Sequence, residues 1–548
     1  MRSRTVTSAA IAALILVALL ALLIKARGFR ASSTPGAFET SAARLVRDFA
    51  IPRAEKGRKN PFAGDEQAVG QGRDAFLGRC ATCHGSDGRG ATPIGSNLYP
   101  RVPDLRGPTT QALTDGEIRY IIANGIQLTG MPAMPALNGQ EEHVSWALVT
   151  YLRSLRSATP AEAARQQSIA NTAQYVGSPA CERCHSSIYG RWKNTPMANV
   201  VRDPREHPEA IIPDLKTNNV APFTLDQVAF VYGSKWKQRY FTRIGDEYYP
   251  LPVQWDVGNK TWRPYHVADT GADWWTAYYP SSNLERPTGP TCDGCHSVNY
   301  DIRAKTPSEW NVGCEKCHGP GSAHAAQPSR ANIFNPSQAD AIASTDTCIQ
   351  CHSQGQPRRG LIDGKAYDWP VGYRVGLRLQ DYWKLEPHTL GQTTFTHFGD
   401  GTAHKNRMQG NDFVQSVMYR RGVTCASCHD VHGTENSAQL RKPTAVICLD
   451  CHAPSSPNGP HAPTIEDHTH HAKGSAGSEC VACHMPKIEQ TIANVNVRSH
   501  TFKFITPAMS DQLKIPNACT GCHTERLNEW ATEALKGWRG ISPWLAEQ

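Results

Sequence analysis

Apolar residues recur with helical spacing between residues 65 and 156. The pattern predicts one helix that runs into Cys80, a second over Asp115–Gly125 and an amphipathic closing helix over Glu141–Leu155. Most of the remaining chain is broken into short segments by Gly and Pro, which number 44 and 38 among 548 residues. We therefore expect a mainly α-helical protein with extensive loops.

Aromatic residues concentrate between residues 220 and 282. They fall in alternating runs separated by turn signals at Gly245-Asp246 and Gly258-Asn259, a pattern typical of antiparallel strands joined by tight turns. We predict a small antiparallel β-meander inserted over residues 220–282. Its aromatic side chains are expected to serve packing or subunit contact rather than a substrate pocket.

All 18 cysteines belong to nine C-x-x-C pairs, and a histidine follows each pair immediately. The motifs, numbered one to nine along the chain, are Cys80/Cys83/His84, Cys181/Cys184/His185, Cys292/Cys295/His296, Cys314/Cys317/His318, Cys348/Cys351/His352, Cys425/Cys428/His429, Cys448/Cys451/His452, Cys480/Cys483/His484 and Cys519/Cys522/His523. Zinc sites and redox dithiols also use C-x-x-C pairs, but neither requires a histidine after every second cysteine. In C-x-x-C-H the thiols form thioethers with a c-type haem and the imidazole ligates its iron. The sequence therefore predicts nine covalently attached haems and no disulfides.

Charge and hydropathy exclude two classes of protein. The formal net charge is +8, but the basic residues are dispersed and haem propionates would offset them, so we expect no nucleic-acid binding. A mean hydropathy of -0.47 excludes a protein with many membrane spans.

A hydrophobic segment near the N-terminus has the composition of an export signal. The apolar run Ala9–Ile24 has basic residues on both sides, and its length lies between that of a signal-peptide core and that of a membrane span. We predict residues 1–30 as a signal anchor, with a cleaved signal peptide as the alternative. The bulk of the chain is then expected on the periplasmic side of a bacterial inner membrane, held by this single N-terminal anchor, or periplasmic or secreted if the segment is cleaved.

Two linkers divide the rest of the chain. Residues 31–64 are rich in Ser, Pro, Gly and basic residues, and residues 157–174 are rich in Ala, Ser and Gln. They leave a first domain at 65–156 with one motif and a second at 175–548 with eight motifs.

Residues 65–156 resemble a class I monohaem cytochrome c. The resemblance rests on Gly72 and Phe76 ahead of Cys80-Ala-Thr-Cys83-His84-Gly85, and on the turn Gly130-Met131-Pro132-Ala133-Met134-Pro135. In that family the methionine of such a Gly-Met-Pro turn is the distal iron ligand. The resemblance implies a helical cytochrome c domain with Met131 as ligand; Met134, or neither methionine, is the alternative.

Residues 175–540 resemble the multihaem superfamily of tetrahaem cytochromes, pentahaem nitrite reductases and octahaem hydroxylamine oxidoreductases, and most of all its doubled-C-x-x-C-H members. The residues that carry the resemblance are Tyr175-Val-Gly-Ser-Pro-Ala-Cys181, Val312-Gly-Cys314-Glu-Lys-Cys317-His318-Gly-Pro-Gly-Ser-Ala-His324, His404-Lys-Asn-Arg-Met-Gln-Gly-Asn-Asp412, Cys483-His484-Met485-Pro486 and Ile515-Pro-Asn-Ala-Cys519. It implies an octahaem module of short helices packed on haems. Two enzymatic hallmarks are missing: no motif ends in Lys, and no Tyr follows His523.

Histidines outside the motifs are sufficient in number to ligate every iron of the second domain from both sides. We predict six as distal ligands: His266, His324, His404, His432, His471 and His500. His324 and His432 follow motifs four and six so closely that they are expected to ligate a neighbouring haem rather than their own. His207 is expected to be a solvated loop residue, and His388, His397, His461, His468 and His470 are left open.

Motif two differs from the others. Met197 stands where a distal histidine could follow the motif helix. The haem of His185 is therefore expected to be ligated by Met197, to take a distant histidine, or to be open.

The leading functional hypothesis is an exported nonahaem cytochrome that relays electrons in a respiratory chain. Its partner would be a redox protein or a quinol-oxidising membrane complex, the N-terminal helix would contact the membrane, and a homo-oligomer is left open. The first alternative is an oxidoreductase of a small nitrogen or sulfur compound at one open haem, with His185 as the proposed place and Lys235, Lys237, Arg239 and Arg243 as candidates for anion attraction. The second alternative is a subunit of a haem-chained filament.

Overall fold

The computed structural model describes residues 35–85, 88–90, 95–139, 141–155, 172–215, 221–265, 282–453, 464–492 and 495–538. The chain divides into two compact units, Met1–Thr159 and Pro160–Gln548. The described α-helices are α1 Ala37–Ala50, α2 Arg53–Lys56, α3 Glu66–Arg79, α4 Ala81–His84, α5 Pro108–Gln111, α6 Asp115–Asn124, α7 Glu142–Ser154, α8 Pro179–Trp192, α9 Cys314–His318, α10 Ser322–Ala326, α11 Ala341–Ile349, α12 Gln409–Phe413, α13 Val417–Arg420, α14 Cys425–Cys428, α15 Thr444–His452, α16 Ile465–Thr469, α17 Cys480–His484, α18 Pro507–Leu513, α19 Ala518–Cys522 and α20 Asn528–Lys536.

The first unit is built on the crossing of α3 and α7. Gly72 allows this crossing because a Cβ at its position would lie 2.0 Å from the carbonyl oxygen of Ala147. Phe76 and Trp146 then belong to one buried cluster with side chains of α6. A capping box between Thr114 and Glu117 starts α6. The three predicted helices are thus present, each within one residue of its predicted ends.

The second unit combines short helices with four small antiparallel sheets. Their strands are β1 Val201–Arg202, β2 Phe230–Tyr232, β3 Lys237–Ile244, β4 Glu247–Asp256, β5 Thr261–Pro264, β6 Ser297–Val298, β7 Glu309–Trp310, β8 Gly355–Pro357, β9 Trp383–Leu385, β10 Lys487–Ile492 and β11 Val495–Arg498. Strands β1 to β5 form one meander in chain order, and the other sheets pair β6 with β7, β8 with β9 and β10 with β11. Gly245, at φ 64°, and Asp246 form the two-residue turn between β3 and β4.

Both faces of the meander are covered. Tyr240 packs in a cluster with Val231 and Trp255, whereas its neighbour Phe241 points to the other face and packs with Tyr232 and Cys292 of motif three. The meander was predicted over 220–282; its strands begin earlier, at residue 201, and residues 266–281 lie outside the described chain. Its aromatic residues therefore serve packing, and one face supports motif three.

No helix of the described residues is long and apolar enough to cross a membrane. This finding corrects the expectation that a single N-terminal anchor holds the protein at an inner membrane. The predicted apolar run Ala9–Ile24 itself lies outside the described residues.

Candidate functional site: facing imidazoles along the motif chain

Among the described residues, four motif histidines face a histidine that lies outside the motifs. The ring pairs, with centroid distance and interplanar angle, are His185 and His324 at 6.3 Å and 15°, His318 and His432 at 6.2 Å and 16°, His484 and His468 at 6.2 Å and 10°, and His523 and His471 at 6.3 Å and 30°. The first three pairs are near-parallel and the fourth is tilted, and at these distances the rings are too far apart for direct stacking contact.

The separation suits an iron ion between two imidazoles. Two metal–nitrogen bonds of about 2.0–2.1 Å, with about 1.1 Å from each nitrogen to its ring centroid, place the centroids about 6.3 Å apart. The four observed distances agree with this value to within 0.1 Å. The donor set at these positions therefore fits a bis-histidine haem iron.

Hydrogen bonds at the Nδ1 atom orient four of these eight rings. The Nδ1 atom of His318 donates to the carbonyl of Phe334 at 2.9 Å, that of His324 to Ser329 at 3.0 Å and that of His471 to Thr469 at 2.5 Å. In His432 the acceptor is the Asp430 carboxylate at 3.2 Å. Metal-bound histidines in proteins have such partners, because the partner fixes the tautomer and the ring orientation.

The motif cysteines differ widely in burial. Cys292 and Cys295 of motif three are buried, whereas Cys184, Cys451 and Cys522 are exposed. Cys184 lies on α8, Cys451 on α15 and Cys522 on α19. Haem attachment through these three cysteines stays a prediction.

The six predicted distal histidines divide into three groups. His324, His432 and His471 each face a motif histidine, and the first two face a motif other than the one they follow, as expected from their spacing. His500 lies beside His429 and His352; its Nδ1 donates to Arg498, and burial lowers its pKa to about 4. It stays a candidate ligand without a facing ring.

His404 and His266 are the other two predicted distal histidines. His404 packs its ring against Phe398 at 4.5 Å, and no motif ring faces it among the described residues. His266 falls in the segment 266–281, outside the described chain. Sequence reasoning left His468 open, although its spacing of three from His471 was a usable signal.

The ring of His324 faces motif two. The backbone carbonyl of Met197 accepts a hydrogen bond from Val312 at 3.1 Å, which ties this segment to the stretch of chain before motif four. Of the three arrangements considered for the haem of His185, the facing ring of His324 supports ligation by a distant histidine.

Mutual effects of the motif thiols on one another's pKa values indicate which motifs lie side by side. The pairs Cys181/Cys314, Cys295/Cys351, Cys348/Cys425 and Cys448/Cys480 relate motifs two and four, three and five, five and six, and seven and eight. Charge effects on thiol pKa values likewise relate Cys317 to Cys348, Cys428 to Cys451, and Cys483 to Cys519. These relations order the motifs as two, four, five, six, seven, eight and nine, with motif three as a side branch next to motifs four and five.

Two glutamates fix motif two against motif four. The carboxylate of buried Glu315 accepts backbone hydrogen bonds from Val176 at 3.0 Å, Gly177 at 2.8 Å and Gly321 at 2.7 Å. Glu309 accepts from the backbone and the hydroxyl of Ser178, and burial raises its pKa. The chain entering α8 is therefore attached directly to the motif four segment.

Motif three lies in a cationic environment. The ammonium of Lys316 donates to the Gly294 carbonyl inside the motif. Burial, together with the smaller effects of the charges of Arg407, Arg239 and Lys316, lowers the pKa of His296 to about 3. Positive charges around a buried group disfavour any further positive charge there, including that of an oxidised iron.

Of the four cations proposed for anion attraction, Arg239 is the one whose charge lowers the pKa of His296. The other three donate to main-chain carbonyls elsewhere: Lys235 to Ser437, Lys237 to Thr491 and Arg243 to Gly245. Arg407 and Lys316 were missed because they are distant in sequence from the meander.

The monohaem candidate site lies in the first unit. Burial lowers the pKa of His84, and Met134 packs against the core cluster of this unit. Gly125 lets the Met131 turn approach closely, because a Cβ there would lie 2.7 Å from the Met131 carbonyl oxygen. With Met134 occupied in the core, Met131 is the methionine left for the iron, and this assignment stays a prediction.

Family models match three parts of the chain. Residues 67–152 match cytochrome c oxidase, cbb3-type, subunit III; residues 272–319 match cytochrome c554 and c-prime; and residues 419–456 match the doubled CXXCH motif.

Two curated relatives are multihaem proteins. The dissimilatory sulfite reductase MccA of Wolinella succinogenes is 22% identical over 410 residues, which cover 59% of this chain and 52% of MccA. The cytochrome c-type protein NrfB of Escherichia coli is 25% identical over 152 residues, 27% of this chain and 68% of NrfB. The chain thus spans about half the length of MccA.

One solved structure shares the fold. The outer cell wall cytochrome OcwA aligns with a TM-score of 0.53 and 22% identity, covering 67% of this chain and 87% of OcwA. Together with the motifs, these matches define the class: the chain is a multihaem c-type cytochrome that carries an N-terminal monohaem cytochrome c domain.

Proposed function

We propose that the chain binds nine c-type haems and relays electrons between redox partner proteins outside the cytoplasm. Haem supplies one-electron chemistry at each motif when bound. The observation that carries the proposal is the line of adjoining motifs, along which four motif histidines face a second imidazole. An iron held from both sides has no open position, an arrangement suited to electron transfer rather than to substrate binding.

The chain's own residues keep neighbouring motifs at a fixed separation. Glu315 and Glu309 attach motif two to motif four, and the mutual effects of thiols on their pKa values support the proximity of the later motifs. The relatives MccA and NrfB are redox proteins, which supports a redox partner for this chain as well.

Two measurements test the relay. Intact mass and pyridine haemochrome absorbance of exported protein should count nine haems, and the double variant Cys519→Ser/Cys522→Ser should count eight. Stopped-flow mixing with a small redox protein should then fill the haems in the order of their reduction potentials and at rates proportional to the donor concentration, because electrons redistribute internally faster than they arrive. A haem of high potential that stays oxidised while haems of lower potential are reduced would argue against a continuous chain.

A second function, reduction of a small oxyanion at motif three, has its own supporting observation. Motif three is a branch rather than a link in the line, and Arg407, Arg239 and Lys316 surround it with positive charge. These cations would attract an anion such as sulfite, the compound named for MccA. The proposed reaction site is therefore the haem of His296 instead of the haem of His185, because His185 faces His324.

Titration of the holoprotein with sulfite, nitrite and hydroxylamine tests this second function. A ligand-induced change in one haem spectrum is expected, weakened in Arg407→Gln and unchanged in Arg243→Gln, a cation on the solvent side of β3. Spectra that no anion changes would leave the relay as the whole function.

A further inference from the structure

We propose that the segment His468-Thr469-His470-His471 is a clamp that ligates two different irons, those of motifs eight and nine, and that Gly477 holds the second ligand in place. The inference rests on haem attachment at these motifs, which belongs to the proposed function. His468 faces His484 and His471 faces His523 at 6.2 and 6.3 Å between ring centroids. Motifs eight and nine are themselves neighbours through Cys483 and Cys519.

The local backbone explains how two histidines so close in sequence face different motifs. On a continuous helix, residues three apart lie on the same face. Helix α16 ends instead at Thr469, and His470 adopts the left-handed conformation at φ 52° and ψ 28°. The chain therefore turns between His468 and His471, and their imidazoles are directed to separate partners.

Hydrogen bonds and stacking fix the clamp. The backbone N–H of His470 donates to Glu466 at 2.8 Å, and its ring stacks on Trp538 at 4.5 Å. The hydroxyl of Thr469 accepts from the backbone N–H of His471, and the Thr469 carbonyl accepts from Nδ1 of the same ring. The ring of His470 thus packs on Trp538, and the ring of His471 is oriented through its Nδ1 atom.

Gly477 lies directly against the His471 ring. A Cβ at this position would lie 2.1 Å from Cδ2 and 2.6 Å from Nε2 of His471, distances that no real side chain tolerates. Any larger residue at 477 must therefore displace the ligand or its loop. A glycine at this position has a specific reason: it leaves room for an iron-ligating imidazole.

Ligand replacement tests the two assignments separately. His468→Met and His471→Met should each convert one bis-histidine iron of the nine into a His/Met iron, seen by near-infrared magnetic circular dichroism and electron paramagnetic resonance. The exposed His207→Met serves as the matched control and should change no iron. An unchanged bis-histidine count in either ligand variant would overturn the clamp.

Gly477→Ala tests the holding role without touching a ligand. We expect one iron to become high-spin or altered in its g values, with motif eight unaffected, whereas Gly190→Ala, which has open space around its Cβ, should change nothing. A Gly477→Ala spectrum identical to that of the wild type would contradict the role of Gly477. Haem counting by mass on every variant distinguishes a failure of the proposed function from a failure of the clamp. Fewer than nine haems in the wild type would count against the proposed function. Nine haems with unchanged ligation in the variants would count against the clamp alone.

Discussion

The imidazole rings of His185 and His324 lie nearly parallel, 6.3 Å apart. His185 closes motif two, whereas His324 follows motif four on the short helix α10. A second pair has the same arrangement: His432, which follows motif six, faces His318 of motif four. Each of these segments thus supplies an imidazole to another motif, so that haem ligation and tertiary structure would depend on each other.

Replacing His324 should change one iron only. His324→Met is expected to convert the iron of motif two from bis-histidine to His/Met and to raise its reduction potential, because a thioether favours the reduced iron. Near-infrared magnetic circular dichroism and a redox titration measure both effects. Met197→Leu is the matched control; if it, rather than His324→Met, alters the motif two iron, the assignment of His324 is wrong.

The Glu315 carboxylate should stabilise the second unit. Glu315→Gln places an amide NH2 group among three N–H donors, and hydrogen bonds to a charged group contribute about 1.5–3 kcal/mol each. We expect the free energy of unfolding to fall by about 2–3 kcal/mol in urea titrations followed by circular dichroism. The exposed Glu182→Gln on α8 should lie within about 0.5 kcal/mol of the wild type. Equal stability of the two variants would contradict the role of Glu315.

The cations around motif three should raise the reduction potential of its haem. Arg407→Gln removes one positive charge near His296, which makes the oxidised iron less unfavourable, so the potential of one haem should fall by some tens of millivolts. Spectroelectrochemistry measures this shift, and Arg243→Gln should leave all potentials unchanged. A rise in potential, or an equal change in both variants, would show that these charges do not act on this haem.

The two methionines of the Gly-Met-Pro turn should have different roles. Met131→Ala is expected to abolish the His/Met signature of the first domain with little loss of stability. Met134→Ala should keep that signature but lower the free energy of unfolding by about 1–2 kcal/mol, less than the 2–5 kcal/mol typical of a fully buried methionine. If the signature is lost in Met134→Ala and kept in Met131→Ala, the assignment is reversed.

His397 should make the second unit sensitive to acid. Burial lowers its pKa to about 4 from an ordinary 6.5, with a smaller contribution from His388 that Asp400 opposes. The folded state therefore binds fewer protons than the unfolded chain between pH 4 and pH 6.5. The stability that comes from keeping His397 neutral is fully present above pH 6.5 and is lost as the pH falls from 6.5 to 4. At about 1.4 kcal/mol per pKa unit, the loss is at most about 3.5 kcal/mol. Urea titrations across this range should show a flatter pH profile for His397→Gln than for wild type or His207→Gln.

Local sequence patterns were enough to predict the helices of the first unit and the strands of the meander. Helical periodicity and the Gly72 and Phe76 positions led to the crossing helices, and the Gly245-Asp246 turn led to the β3–β4 hairpin. Both features depend on residues that are close in sequence, so a single sequence is enough to predict them. Motif spacing likewise supported neighbour ligation by His324 and His432.

The order of the motifs in space and the residues that contact motif three could not be predicted from the sequence. Cys295 meets Cys351 and Lys316 reaches Gly294 only because the chain folds back on itself, and no periodicity encodes such contacts. His468 was left open together with His388, His397, His461 and His470, because no local sequence signal distinguished these five histidines. The left-handed turn at His470, which distinguishes them, is visible only in the folded backbone.

The most direct test of the relay is electron paramagnetic resonance with near-infrared magnetic circular dichroism on the fully oxidised holoprotein, counting irons by ligand type. The account predicts one His/Met iron and at least four bis-histidine irons, with any high-spin signal confined to a single iron that the Arg407→Gln substitution perturbs. Fewer than four bis-histidine irons, or several high-spin irons, would contradict it.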